Sequence, residues 1–510
     1  MKMNRREVLK TIGGVCSAAA FSRLAKAQAK SFDPTRESLK SYQIPEWFRD
    51  AKFGIWSHWG PQSAIEDGDW YARNMYVQGT PQYDYHVQTY GHPAKVGYKD
   101  LVNDWKAAKW DPEHLMSLYK KAGAKYFFSM GVHHDNFDLW DSKYTRWNAA
   151  KMGPKKDVVG MWAAAARRNG LRFGVSEHLW ISYKWFAVSH GADKTGSLAG
   201  VPYDGINPEY ADLYHDKECE QFTIPKLEWS DAGIPDSWRK HYLDRMTDLI
   251  DKYHPDLLYT DGHLPFEEYG LKMVSHLYND SARIHGGVTE AVYTSKEASD
   301  CATGTCLLDH ERGVSDAISA NPWQTDTCIG QWHYKRGQRY KTAKKVVDLL
   351  TDIVSKNGNL LLNFPLPNSG ELDFEEMETL NGITKWMEVN SEGIYSSRPW
   401  KIYGEGPSTE VEIKAGNFNE DKRKDFTAED VRFTTKGNTL YAFVQGWPAS
   451  EAVVKSLGHA SPQQPGKIQK VEVLGYKGDV SWKQEDAALK VQMPAEKLSD
   501  IGITLKIQLS

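Results

Sequence analysis

A (β/α)8-like barrel followed by an all-β sandwich is the fold that the sequence predicts, on three observations. The chain has 510 residues, too many for one ordinary domain, although an α/β barrel alone can take about 250. From about Lys52 to Gly393 short apolar runs alternate with long amphipathic segments, the pattern of βα units on a parallel sheet. From Glu410 onward the chain reads as short alternating strands, VRFTTKG, TLYAFVQGW, IQKVEVLGY and ITLKIQL, separated by Gly, Pro and Asn turns, which suits a sandwich of roughly 110 residues.

The first thirty residues stand apart. Arg5-Arg6, then Val8 and Leu9, a short weakly apolar stretch and the small-residue site Ala25-Lys26-Ala27 are similar to a twin-arginine export signal cleaved near Ala27. The stretch is too short to span a bilayer. Residues 1–30 are therefore expected to be a leader, and the mature protein to be bacterial and periplasmic. Barrel strands are expected at KFGIWSH, YFFSMGV, LRFGVSE, DLLYTDG, TCLLDHE and NLLLNFP. Between them DPEHLMSLYKKAG, DVVGMWAAAARRNG, SWRKHYLDRMTDLIDKYHP and KTAKKVVDLLTDIVSKNG read as helices. In the third, Trp238, Tyr242, Met246, Leu249 and Tyr253 recur at helical spacing and Pro255 closes the segment. His190 to Gly233, rich in Gly, Asp, Tyr and Pro, reads as an excursion over the barrel mouth. A last helix, FEEMETLNGITKWMEVNSEG, and a turn at Arg398-Pro399-Trp400 set the division at 31–398 for the barrel and 399–510 for the sandwich.

Composition narrows the function. A net charge of −4 and no basic stripe give no electrostatic reason to expect nucleic acid or an anionic membrane as partner. Aromatic residues make up 12%, with 19 Trp and 26 Tyr, which suits either a Trp-rich core or stacking floors for sugar rings. Behind the leader, Cys219, Cys301, Cys306 and Cys328 are too few for a disulfide framework; Cys301 and Cys306 are near enough to pair in an oxidising compartment, and CATGTC lacks the spacing of a zinc site. Nothing in the sequence calls for a cofactor, and nothing in it sets the oligomeric state.

Each expected barrel strand ends in chemistry: Ser57-His58-Trp59, His133-His134-Asp135, Glu177-His178, Asp261-Gly262-His263, Asp309-His310-Glu311 and Asn363. Polar groups at the carboxyl ends of successive parallel strands are what builds a barrel active site. Asp261, after Leu257-Leu258-Tyr259-Thr260, and Glu311, in LLDHERG, are carboxylates from different strands directed to one mouth. Such a pair hydrolyses a glycosidic bond when one member is ionised and the other protonated.

Five ordered markers, FGIWSHWG, DWYARNMY, GVHHDNFDLWDS, LLYTDG and VSKNGNLLLNFPLPNSG, make the chain similar to the α-L-fucosidases of glycoside hydrolase family 29, from WFRDAKFGIWSHWG to NSEGIYSSRPW. The resemblance implies a retaining double displacement on terminal α-L-fucosyl residues of a fucosylated glycan, with Asp261 as nucleophile. It implies a fucose subsite lined by His58, Asp69, Trp70, His133, His134, His178, Tyr259 and Trp332, no metal and no cofactor. The chain departs from the commoner pattern twice. Asp69-Trp70 replaces Glu-Trp, one methylene shorter, and PWQTDTCIGQWHY puts Gln324 where many members carry the acid/base. Glutamine cannot transfer a proton usefully, so Glu311 of Glu311-Arg312-Gly313 is the expected acid/base, as in another branch, with Asp326, Asp309 and Glu290 as rivals.

His133 and His134 fit sugar binding better than metal binding, because as sequence neighbours with Asp135 their side chains are expected to diverge and HExxH is absent. His134 is the candidate for a purely structural histidine. Fucose's methyl group calls for an aromatic wall from Trp70, Phe137, Trp140 or Trp332. Two alternatives stay open: a barrel glycosidase for a related sugar such as a galactoside, and a catalytically silent carbohydrate-binding barrel.

Overall fold

The structure is a computed structural model that describes residues 31–223, 227–302, 304–410, 414–463 and 465–510; the expected leader lies outside the described residues. Eight parallel strands close into a barrel: β1 Phe53–Ser57, β2 Tyr126–Val132, β3 Arg172–Glu177, β4 Leu257–Thr260, β5 Val292–Ser295, β6 Leu307–Glu311, β7 Trp323–Cys328 and β8 Gly358–Asn363. Closure is direct, since β1 pairs with both β2 and β8. Every residue of β1, β2 and β8 is buried, which is why these strands read as unbroken apolar runs rather than as alternation.

Two barrel strands fall outside the six that the apolar runs predict. β5 is the short Val-Tyr-Thr-Ser, with no apolar run, and β7 is polar. Yet β7 is buried throughout, held by bonds made inside the barrel. Gln324 donates to Asp309 at 2.6 Å and accepts from the Tyr126 hydroxyl at 3.0 Å. A buried polar strand is tolerated when its groups are paired in this way. Gln324 lies opposite Asn359, early in β8, in the interior layer of the barrel.

The outer layer includes α1 Pro112–Lys121, α2 Val158–Arg168, α3 Asp236–Tyr253, α4 Glu268–Ile284, α5 Ala343–Ser355 and α6 Phe374–Asn390. Side-chain caps start α1, α2, α5 and α6, from Asp111, Asp157, Thr342 and Asp373, each contributing about 1 kcal/mol. Trp238, Tyr242, Met246, Leu249 and Tyr253 form the buried stripe of α3, which ends where His254 turns left-handed before Pro255. Among the described residues no helix is long and apolar enough to cross a membrane.

The C-terminal part holds β9 Arg398–Glu405, β10 Val431–Lys436, β11 Thr439–Val444, β12 Glu451–Val454, β13 Ile468–Val473, β14 Trp482–Gln484, β15 Leu489–Gln492 and β16 Ile503–Leu509. They form a five-stranded sheet, β13-β16-β11-β10-β9, and a three-stranded one, β12-β15-β14. A shared core includes Phe433, Leu440, Val454, Leu489 and Leu505. The turn expected at Arg398-Pro399-Trp400 is instead the start of β9. Proline is acceptable there because β9 is an edge strand, with one side free of ladder partners.

A buried ion cluster fastens this part to the barrel. Asp352 of α5 meets Arg432 of β10 at 2.6 Å, Lys356 at 2.9 Å and Arg423 at 3.2 Å. Burial alone would raise the Asp352 pKa, but Arg423, Lys356 and Arg432 overcome it and hold the carboxyl far below its ordinary range. The carboxylate's contribution is thus complete above the unfolded value near pH 4 and is lost as pH falls toward the native one. Asp352→Asn is expected to cost about 3–5 kcal/mol at neutral pH by leaving buried cations unpaired. It should also flatten the acid side of the stability profile, both read by urea unfolding across pH.

Candidate active site

The carboxyl ends of the barrel strands deliver their side chains to one cavity of about 360 Å³, within the size range of small-ligand sites. All ten residues singled out in the sequence line it: His58 after β1, Asp69 and Trp70 from the β1–β2 connection, His133 and His134 after β2, His178 after β3, Tyr259 and Asp261 at β4, Glu311 at β6, and Trp332 after β7. Asp261 stands where β4 stops and Gly262 turns at φ +130°, a conformation that L side chains rarely adopt. The indole of Trp180 donates to the Asp261 carbonyl at 2.6 Å and fixes that corner.

Lys296, the residue after β5, joins the two carboxylates. Its ammonium contacts Asp261 Oδ1 at 2.5 Å and Glu311 Oε2 at 2.6 Å, so those oxygens are no more than about 5.1 Å apart. Asp326 Oδ2 is 3.9 Å from the same ammonium and accepts from the Tyr259 hydroxyl at 2.9 Å. On its other oxygen Asp261 meets His178 Nδ1 at 3.0 Å and His134 Nε2 at 3.3 Å. Burial pushes the Asp261 pKa up, but Lys296 and the two histidines outweigh it and hold the carboxyl well below its usual range. Glu311 moves the other way: burial, reinforced by the charge of Asp261 and only partly opposed by Lys296, raises it. The pKa values of two neighbouring carboxyls are thus pushed in opposite directions, the signature of an acid and base pair.

Around this pair lies a ring of imidazoles. Burial, then repulsion from the other histidines, keeps His58 and His133 well below the ordinary histidine value, and burial brings His178 down to about 4. They are neutral at pH 7, and each back-side partner fixes which nitrogen faces the cavity. The Gln62 amide donates to His133 Nδ1 at 2.9 Å, leaving Nε2–H as a donor. His58 Nδ1 donates to Asn363 Oδ1 at 3.3 Å, and His178 Nδ1 donates to Asp261, leaving their Nε2 atoms as acceptors. His178 Nε2 is buried and has no partner among the described residues. Three sets could in principle hold a cation, His58 with His133 and His178, Asp69 with His133 and His333, and His134 with His178 and Asp261; in each, a ring nitrogen or carboxylate is already engaged as above.

The expectation that His133, His134 and Asp135 diverge does not hold for the histidines. Their ring centroids are 4.4 Å apart and both rings line the cavity. The strand alternation ends at Val132 and the chain turns, with Asn136 left-handed, so neighbours can share a direction. Only Asp135 turns away, accepting from the Tyr98 hydroxyl at 2.6 Å. His134 is not merely structural either: Nδ1 donates to the His178 carbonyl at 2.7 Å while Nε2 faces Asp261. Phe137 and Trp140 are wholly buried, the latter bonded to Asp248, which leaves Trp70 and Trp332 as the aromatic walls. Gln324 is not in the cavity. Glu290 is drawn off by Arg172 at the start of β3, the opposite end of the barrel.

Trp56, Trp229, Lys296, Asp326 and Phe418 complete the lining, and His333 supports it by donating to Asp69 Oδ1 at 2.7 Å. The sequence offers Asp326 only as a rival acid and does not single out Lys296: both share the signal of the others, a polar residue late in or just after a barrel strand, but β5 and β7 have no apolar run to announce them. Trp229 lies within the excursion 190–233. Phe418 has no sequence signal, because it arrives from the C-terminal part of the chain.

Comparison with known proteins agrees with this geometry. The family profile for alpha-L-fucosidase matches residues 19–392, and that for the alpha-L-fucosidase C-terminal domain matches residues 423–508. Tissue alpha-L-fucosidase of Mus musculus is 26% identical over 468 residues, covering 89% of each chain. Plasma alpha-L-fucosidase of Homo sapiens is 27% identical over 480 residues, 91% of this chain and 89% of that one. The crystal structure of Thermotoga maritima alpha-fucosidase in complex with fucose superposes with a TM-score of 0.70 at 25% identity, covering 93% of this chain and 100% of that one. The first profile spans well over half of the sequence, and on that match the chain belongs to the α-L-fucosidase family of glycoside hydrolases.

Proposed function

We propose that the cavity hydrolyses terminal α-L-fucosyl linkages of oligo- or polysaccharides with retention of configuration, Asp261 acting as nucleophile and Glu311 as acid and then base. The carrying observation is the pair of carboxyl oxygens on one ammonium, no more than about 5.1 Å apart. That upper bound is in keeping with covalent capture, where carboxyls stand about 5–5.5 Å apart, and lies below the roughly 6.5–9.5 Å of an inverting pair. In the first step an Asp261 oxygen bonds to the anomeric carbon as the glycosidic bond breaks, and the Glu311 proton passes to the departing oxygen. In the second, water attacks the same carbon, Glu311 takes its proton, and the ester to Asp261 breaks.

Glu311 suits the acid role better than its rivals. Asp326 is raised well above its ordinary value, by burial first and Asp309 second, but its side chain is 1% exposed against 18% for Glu311, and it is committed to Tyr259. Asp309 is bonded to Gln324 within the barrel. The imidazole ring supplies alternating donors and acceptors for the sugar hydroxyls, with Asp69 beside them, while Trp70 and Trp332 offer apolar faces for the methyl group. A silent sugar binder would have no use for two carboxylates poised apart in this way, and Gln324, the departure that favours such a binder, stands away from the cavity. Export belongs to the same reading: the Arg5-Arg6 leader supports it, as does the disulfide between Cys301 and Cys306.

Three outcomes are expected. Asp261→Ala lowers kcat on an aryl α-L-fucoside by at least about a thousandfold, and azide restores turnover by taking the nucleophile's place to give the β-fucosyl azide; full activity in this variant would reject the assignment. Glu311 must carry its proton, so kcat/KM falls as pH rises through its raised pKa. In Glu311→Ala that alkaline limb disappears, and natural linkages lose far more rate than aryl fucosides with good leaving groups; equal losses would point to another acid. Arg5→Lys combined with Arg6→Lys should retain the protein in the cytoplasm, read by cell fractionation.

A further inference from the structure

The mouth of the cavity carries two aromatic rings that folding does not explain. Phe418 is 61% exposed and Trp229 is 47% exposed, and both line the cavity. Trp229 comes from the excursion after β3 and leans on Trp70 and Trp180, at centroid distances of 5.9 and 6.2 Å. Phe418 comes from the segment between β9 and β10, in the other half of the molecule.

A built arm holds Phe418 in place. Its N–H donates to the Glu311 carbonyl at 2.7 Å, and the Glu311 N–H donates to Asn417 Oδ1 at 3.0 Å. Asn419 bonds Val314 through both ends of its amide, at 2.8 and 3.1 Å. The N–H groups of Asn419 and Glu420 reach the Arg312 carbonyl at 3.1 and 3.0 Å. Phe418 itself sits at φ +54°, a costly state for a bulky residue, of the kind that persists where surrounding structure enforces it and function uses it. An exposed phenyl gains little from burial, so neither its backbone nor its ring helps the chain to fold.

Chemistry says what the ring faces. The acid gives its proton to the departing oxygen, so the leaving group lies on the Glu311 side of the sugar, and Phe418 is tied to Glu311 by its own main chain. We propose that Phe418, with Trp229 lining the same cavity, forms the subsite for the leaving-group sugar, a pyranose whose C–H face stacks on the phenyl ring. The subsite rests on Glu311 being the acid. It is a binding site assembled from both halves of the chain, and it makes Phe418 a determinant of specificity.

The test compares two substrates that need the same proton donor and differ in the ring they release: methyl α-L-fucoside, and a disaccharide of α-L-fucose linked to galactose. Phe418→Ala is expected to lower the disaccharide-to-methyl-fucoside ratio of kcat/KM about tenfold, and Phe418→Trp to restore it. An unchanged ratio overturns the subsite, whether both rates fall together, as for a ring that only supports Glu311, or neither moves. Hydrolysis of methyl α-L-fucoside by the wild type reports on the fucosidase reading by itself, so the two failures are read separately.

Discussion

One buried ammonium organises the catalytic end of this barrel. Lys296 stands among Asp261, Glu311 and Asp326, side chains from β4, β6 and β7, and their combined field holds its proton far more tightly than water would. A buried cation costs several kcal/mol unless carboxylates meet it with good geometry. The strand ends are therefore constrained to converge. The same cation sets the charge count: Lys296 neutralises Asp261, and a second ionised carboxylate would leave net negative charge in a poorly solvated pocket. Burial and the charge of Asp261 accordingly push the Glu311 pKa upward, with Lys296 opposing them only in part. The closeness of the two carboxyls and the opposite directions of their shifts thus have one electrostatic origin.

The histidines answer a different need of the proposed function, the recognition of a ligand rich in hydroxyls. A charged ring would be costly to bury and could only donate. Neutral imidazoles in fixed tautomers offer one donor or one acceptor each, chosen by Gln62 behind His133, Asn363 behind His58 and Asp261 beside His178. His178 also ties the imidazoles to the carboxyl pair, since the nitrogen that orders its ring holds Asp261. The Trp56 and Trp332 rings, 4.0 and 4.9 Å from His58, add apolar surface to the pocket wall beside it. Excluding water in this way strengthens every interaction that develops during the reaction.

Legibility in the sequence follows burial and periodicity. Strands covered on both faces by apolar neighbours, such as Tyr126–Val132 and Gly358–Asn363, are readable because parallel barrels demand continuous apolar runs. The polar strand Trp323–Cys328 is not, since its stability lies in partners such as Asp309 and Tyr126 that are distant in sequence. For the same reason Gln324 is readable as a substitution yet its place in the barrel layer is not. The ten lining residues are legible because strand ends are where barrels place chemistry. Lys296 follows a strand, Val-Tyr-Thr-Ser, with too little apolar character to stand out, and Phe418 depends on the packing of two domains, which no local pattern encodes. In the sandwich, Arg398–Glu405 hides behind Pro399, a residue that suggests a turn until the strand is known to lie at an edge.

That last element also shows how the two halves are coupled. The β9–β10 connection does not merely join strands: Glu420 accepts from Thr327 of β7 at 2.7 Å and pairs with Lys341 at 2.9 Å, while residues 417–420 bond the chain around Glu311. Next to it, Asp352 ties α5 to Arg432 and Arg423. One buried cluster therefore holds the sandwich to the barrel, and the adjoining arm carries that attachment to the backbone of Glu311. Loosening the ion cluster would let the arm move, and the arm's hydrogen bonds end on Glu311 and Arg312. The C-terminal sandwich is in this sense part of the active-site scaffold, because the position of a side chain in the cavity is fixed by bonds that begin outside the barrel.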